Sequence, residues 1–347
     1  MKMNKLHLVI ILMSFTMLFS NCTGDHKDHN ANTSTTIPKT NQRAIPKFDA
    51  NNAYNLVAKQ LDFGARVPGT DAHKNCKNWY VEQFKSLGTT VIEQNFKGTV
   101  YTGKTFDCTN VIAQVNPDKK ERIVIATHWD SRPFADSDPD PKNHTKPVMA
   151  ADDGASGPAV MLELAKQIQK NGIDIGVDFV LFDLEDYGKE SGENVTREEA
   201  ITNSETWAIG SKYWAQNLHR PDYKPIFGIL LDMVGSKNAV FPYEGYSLQV
   251  VPVVTKKIWQ LAKNMGKGNY FIAKEGGMIT DDHINVIKYA KIPMLDIINM
   301  PNNDNRGFGD YHHTLADNMD IIDKRTLGAV GQVLLAVLYR QSNGNFL

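Results

Sequence analysis

Residues 179–188 read FVLFDLEDYG: a mostly apolar run from Phe179 to Asp183, reading as a buried strand, that leads into two adjacent carboxylates, Glu185 and Asp186. Side by side at the end of a buried strand, such groups repel each other and resist desolvation, so a cation is expected beside them. Other groups that bind cations or move protons recur at comparable places. His128 and Asp130 close RIVIATHWD, Asp153 lies in VMAADDGASGP, Asp232 closes GILLDMVG, and His313 sits in YHHTLADN. Each alone has an ordinary explanation: Asp152 or Asp153 as a helix N-cap, Asp232 as a turn residue, His313 as a surface histidine. Together they make a set of imidazoles and carboxylates without cysteine. That is the ligand chemistry of catalytic zinc, which keeps a coordination position open for substrate or water. Neighbouring side chains on an extended segment point different ways. One of Glu185 and Asp186 can therefore hold a metal while the other faces a substrate and carries protons.

Such residues serve only if the fold brings them together. DANNAYNLVAKQLDF and HKNCKNWYVEQFKSLG space their apolar residues like helices, as do GPAVMLELAKQIQKNG (with Gly172 as its stop), SETWAIGSKYWAQNLH, VVPVVTKKIWQLAKNMG and KRTLGAVGQVLLAVLYRQ. TTVIEQNF and CTNVIAQVN alternate like strands, while RIVIATHWD, VDFVLFDLED, PIFGILLDMVG and PMLDIINM are apolar runs suited to buried strands. Residues 187–203 read as a long polar loop. The alternation predicts an α/β fold of three layers, a mostly parallel mixed central sheet with helices on both faces, without internal repeat or second domain. In such sheets ligands sit beyond the carboxyl ends of the strands, where this chain places its imidazoles and carboxylates.

Composition excludes several alternatives. With 41% hydrophobic and 22% charged residues the chain reads as a soluble globular protein. A formal net charge of -1 gives no electrostatic case for nucleic acid or an anionic membrane surface. The N-terminus differs: Lys2 and Lys5 precede an apolar run from Leu8 to Phe19, then come Cys22 and the polar GDHKDHNANTSTTIPKTNQ. This suits an export signal over residues 1–21 and resembles a bacterial lipoprotein signal, with Cys22 as the lipidated residue and only membrane link. The expected location is the periplasm or a membrane surface. Residues 22–47 read as a flexible tether, which leaves 48–347 as one catalytic domain, expected to be a monomer. Cys76 and Cys108 either pair or remain buried thiols.

HWDS, ADDGASGP, DLED, LLDMVG and HHTLADN, in this order, resemble the M28 family of zinc aminopeptidases and glutaminyl cyclases. The resemblance covers about residues 48–342 and includes the early GARVPGT. It implies a zinc-aminopeptidase-like (phosphorylase/hydrolase-like) fold, metal ligation by Asp153, Asp186 and His313, and Glu185 as acid and base. His128 and Asp232 match the positions that hold a second zinc in the aminopeptidase branch. His313 is preferred to His312 because the register runs through Thr314 and Asp317-Asn318. Many relatives have Glu where Asp186 stands; the shorter ligand should draw the strand end toward the metal.

The two branches differ in what attacks the carbonyl. An aminopeptidase activates water with two metals, whereas a cyclase lets the α-amine of an N-terminal glutamine attack its own γ-carbonyl, giving pyroglutamate and ammonia. Three features resemble the cyclase branch. KEGGMITDDHINV carries an Asp-Asp-His triplet in which Asp282 would join a proton-sharing chain with Asp232 and Glu185. Phe308 in RGFGDYHH stands where cyclases place an aromatic wall, and TWAIGSKYWA supplies Trp207 near the substrate amide, with Trp214 read as core. His312 replaces the Trp that precedes the metal histidine in animal cyclases, which points to a bacterial subgroup. The resemblance thus implies a glutaminyl cyclase with one Zn2+ per chain acting on N-terminal Gln peptides and proteins. The alternative is a two-zinc aminopeptidase. An inactive surface binding module is a third reading, against which the complete ligand set argues.

Overall fold

A computed structural model of the chain describes residues 42–192, 195–301 and 307–347. The expected signal, Cys22 and most of the tether lie outside the described residues. The tether's last residues are held in place. Arg43 pairs with Asp174 at 3.0 Å and its amide donates to Asn343 Oδ1 at 3.0 Å, while the Phe48 amide donates to Gln332 Oε1 at 3.0 Å. The folded part therefore begins earlier than residue 48.

The described residues form eight strands: β1 (Thr90–Thr99), β2 (Thr105–Val115), β3 (Arg122–His128), β4 (Gly176–Phe182), β5 (Gly228–Asp232), β6 (Phe241–Tyr243), β7 (Phe271–Glu275) and β8 (Met294–Ile298). Six of them form the central sheet in the order β1-β2-β4-β3-β5-β8, and β6 pairs with β7 apart from it. β3 runs parallel to β4 and β5, and β5 parallel to β8, while β1/β2 and β2/β4 are antiparallel. The sheet is thus mixed, with its parallel half carrying the site.

The apolar runs lie in this parallel half because both faces are covered. Ile123, Ile125, Val177, Phe179 and Leu181 point into one core with helices Ala50–Leu61, Asp71–Ser86, Ser156–Asn171 and Lys324–Ser342. The intervening Val124, Ala126, Val180 and Phe182 point into a second core with Trp214 and Val286. This alternation of period two, apolar on both sides, defines three layers. Gly172 caps the helix Ser156–Asn171 at φ +70°, as its position in the sequence implied.

Two local expectations change. The segment SETWAIGSKYWAQNLH is not one helix: Arg197–Ser204 and Ile209–Gln216 are separate, broken where Ala208 takes φ +55°. This break releases Trp207 from any helix, and puts a helix inside the expected 187–203 loop. Cys76 and Cys108 are both buried and free, Cys76 in the large core and Cys108 beside Leu184. No helix among the described residues is long and apolar enough to cross a membrane.

Candidate metal and proton-transfer site

The carboxyl ends of β3, β4 and β5 point to one place. His128 is the last residue of β3 and Asp232 the last of β5. β4 ends at Phe182, so Glu185 and Asp186 sit beyond the strand rather than on it. Leu184 between them and the strand has φ +59°, which bends the chain where an extended segment was expected. Left-handed φ values recur beside other site residues: Ala150 (+55°), Ala208 (+55°), Met233 (+50°) and His313 itself (+56°). Each such non-glycine residue costs on the order of 1–3 kcal/mol. Their concentration around one site marks a backbone bent to aim side chains rather than to maximise stability.

Two buried aspartates hold these bends. The Asp130 carboxylate accepts from the amides of Glu185 (3.0 Å) and Asp186 (3.1 Å). Asp317 does the same for Asp152 (2.8 Å) and Asp153 (3.1 Å). The ADDG turn also needs its glycine. Gly154 has φ +104°, and a Cβ there would stand 2.3 Å from the Asp130 carbonyl oxygen.

The side chains so aimed converge on two overlapping groups. His128, Asp153 and Asp232 offer ligand atoms within 4.8 Å of one another, and so do Asp153, His312 and His313. Asp186 Oδ1 lies 3.1 Å from His313 Nε2, and Asp153 Oδ2 lies 3.7 Å from the same nitrogen. His312 Nε2 is 3.8 Å from Asp153 Oδ2. His128 Nε2 stands 3.0 Å from Asp153 Oδ1 and 3.4 Å from Asp232 Oδ1 without the geometry of a hydrogen bond. Both nitrogens of His128, both oxygens of Asp186 and Oδ1 of Asp232 are buried without a hydrogen-bond partner. Buried polar atoms are normally paired. A cluster of orphaned nitrogen and oxygen atoms, all aimed inward and of the types zinc prefers, fits a divalent cation. Asp153 belongs to both groups, the position a bridging ligand would take.

Neighbouring residues orient the ligands from behind. Glu190 Oε1 lies 3.0 Å from His313 Nδ1. Arg132 donates to the backbone carbonyl of Asp186 at 3.0 Å and stands 3.6 Å from its carboxylate. Burial, with the neighbouring Asp153 charge, raises Asp186 to about 6. Burial raises Asp232 to about 8, helped by Asp153 and Asp281. Burial also pushes Glu185 well above the usual carboxylate range, and Asp186, Asp282 and Asp281 push the same way. Burial lowers His312 to about 3. His313, despite burial, is raised to about 9 by Asp186 and Glu190.

A cavity of about 230 Å3 opens over these groups. Asp153, Glu185, Asp232 and Asp281 line it together with Trp207, Phe308, His312 and His313. The aromatic rings form a stack. Trp207 lies parallel to His313 with ring centroids 5.7 Å apart, His313 to His312 at 3.6 Å, and Phe308 packs on His312 at 4.5 Å. Trp214, by contrast, is wholly buried in the core.

Asp282, expected in a proton-sharing chain with Asp232 and Glu185, does not itself line the cavity. The cavity wall holds Asp281, while Asp282 is fully buried as the first residue of helix Asp282–Asn285. Asp281 is the N-cap, its carboxylate accepting from the Asp282 amide, and that turn faces it into the cavity. Asp282 still lies near enough to act on Glu185 electrostatically, and neither of its oxygens has a hydrogen-bond partner. Asp281, Arg132 and Glu190 had no assigned part in the sequence reading. Asp130 and Asp317 sat in its motifs, but a carboxylate that grips backbone amides leaves no spacing signature of its own.

A model of Peptidase family M28 matches residues 110–338. The chain is similar to a Zn-dependent exopeptidase from Parabacteroides distasonis, 43% identical with a TM-score of 0.81, over 85% of this chain and 99% of that one. It is similar to the glutaminyl cyclase of Bacteroides thetaiotaomicron bound to N-acetylhistamine, 42% identical with a TM-score of 0.80 and the same coverage of 85% and 99%. The glutaminyl-peptide cyclotransferase of Boiga irregularis is 24% identical over 342 residues, 89% of this chain and 84% of that protein.

Proposed function

This chain belongs to peptidase family M28, and on that premise we propose that it converts the N-terminal glutamine of peptides and proteins to pyroglutamate with release of ammonia. The observation that carries this reading is the set of carboxylates lining the cavity. Glu185, Asp232 and Asp281 face it beside the metal-binding groups, together with aromatic rings. The cavity, at about 230 Å3, is smaller than the roughly 300–1,000 Å3 of a drug-sized pocket. It suits one residue rather than a stretch of peptide. The likeness to glutaminyl cyclases over most of the chain supports the same reaction.

Asp153, Asp186 and His313 would hold a single zinc, whose Lewis acidity would be available to the γ-carbonyl of the bound glutamine. The α-amine attacks that carbon, a C–N bond closes the lactam ring, and the bond to the amide nitrogen breaks. The amine loses one proton and the departing nitrogen gains one, so a single group can carry it. Glu185 takes it and returns it, and a pKa raised by burial suits both halves of that task. Asp232 and Asp281 share the cavity wall with Glu185 and, with Asp282 behind, keep a proton available to it. Trp207 and Phe308 flank the glutamine side chain, with His312 completing the wall. Because ring closure is intramolecular, holding the amine against the γ-carbon supplies much of the acceleration.

A second reading, a two-zinc aminopeptidase, is favoured by the complete His128, Asp153 and Asp232 group and by the likeness to an exopeptidase. Residues 1–22 support export and a lipid on Cys22, which would place a monomeric enzyme in the periplasm or at a membrane surface. The test of the catalytic assignment is Glu185→Gln, assayed on a Gln-initiated peptide. Turnover falls by about 10²–10⁴-fold with zinc retained; turnover like that of the wild type would overturn it.

A further inference from the structure

A second cavity of about 250 Å3 adjoins the first and shares Ser204, Trp207, Thr280 and Asp281 with it. Its remaining wall includes Lys212, Lys288, Tyr246 and Tyr289, with Glu205 as the other charged residue. Asn285, also on the wall, is tied down by hydrogen bonds to the Ala208 carbonyl (2.9 Å) and Ser211 Oγ (3.1 Å). Lys288 lies over the Tyr289 ring at 5.1 Å, and neither lysine forms an ion pair among the described residues. Two lysines and two tyrosines thus share this wall with the carboxylates of Glu205 and Asp281.

We propose that this second cavity receives the residues that follow the N-terminal glutamine, and that Lys212 and Lys288 make it favour an acidic side chain there. The proposal rests on the cyclase reading. A cavity sized for one residue obliges the rest of the substrate to leave through an opening, and the space that adjoins it across Ser204, Trp207, Thr280 and Asp281 is the second cavity. An extended chain advances about 3.3–3.6 Å per residue, so residues two and three of the substrate fall within that space. The tyrosines offer rings for the chain to lie against, and the lysines offer ammonium groups that no carboxylate pairs among the described residues.

Two solvent-accessible ion pairs give about a three- to tenfold preference for an acidic over a basic residue in kcat/KM. It is expressed mainly in KM, because contacts remote from the reacting atoms bind substrate and transition state alike, and it weakens with salt. The experiment compares Gln-Glu-Glu, Gln-Ala-Ala and Gln-Lys-Lys peptides on the full chain and on the Lys212→Glu/Lys288→Glu double variant, with ammonia release as the readout. The expected result is an acidic preference in the wild type that reverses in the variant. Equal rates for the three peptides, or a preference the charge reversal does not move, would overturn the proposal while leaving the cyclase reading intact. Failure to cyclise any of the three would overturn both.

Discussion

Gly188→Ala tests whether Trp207 is held in place for a purpose. A Cβ at residue 188 would stand 1.9 Å from Cδ2 of the Trp207 ring and 2.2 Å from Cε2, far inside any real carbon contact. The half-buried ring must move by more than about 1 Å to restore ordinary van der Waals distances of roughly 3.5 Å. Three interactions oppose that movement. The Arg132 guanidinium sits 4.6 Å over the ring, the His313 imidazole stacks on it, and Nε1 donates to the Lys189 carbonyl at 3.3 Å. Cation–π, stacking and hydrogen bond are each worth about 1 kcal/mol, so their loss costs about 2–3 kcal/mol before the ring resettles. If the ring flanks the glutamine, a displacement of this size lowers kcat/KM by about 10–100-fold, with zinc content unchanged. The assay is kcat/KM on a Gln-initiated peptide beside a thermal melt, for Gly188→Ala, Trp207→Ala and the double variant. Since the clash acts through the ring, Gly188→Ala should add little once Trp207 is gone. A kcat/KM within twofold of the wild type, or fully additive losses, would refute the reasoning.

Asp130→Asn keeps one acceptor but turns the other oxygen into a donor facing an amide. The grip on Glu185 and Asp186 is then halved, and zinc affinity falls by about 10–100-fold, read by competition with a chelator; unchanged retention would show that Asp130 only fills space. His219, half-buried against Trp214 and accepting from its indole N–H at 3.2 Å, is pushed down to about 4 by desolvation. The folded state therefore resists its protonation: the stability it contributes is present above about pH 6.5 and lost as pH falls toward 4. This amounts to about 1–3 kcal/mol after allowance for partial exposure. Urea midpoints between pH 7 and 4 should fall less steeply in His219→Gln, and identical slopes would contradict the assignment.

The parallel half of the sheet was legible because its strands are buried on both sides and read as unbroken apolar runs. The same property made the strand ends legible, since a carboxylate or imidazole following such a run has nowhere to go but the rim. Local bends were not. Nothing in DLED announces a left-handed Leu184, and Ala208 is an unlikely residue to break a helix, yet both aim site residues. Asp281 and Asp282 are the sharpest example. Either suits a helix N-cap, and adjacent side chains diverge, so the cavity receives only one of them. Choosing between them needs the path of the turn, a tertiary property.

Incubating the zinc-loaded full-length protein with a Gln-initiated peptide, and reading the product by mass spectrometry, tests the cyclisation most directly. The expected product has lost one ammonia and retains every residue. Release of free glutamine and a peptide shortened by one residue would contradict it and establish the aminopeptidase reading.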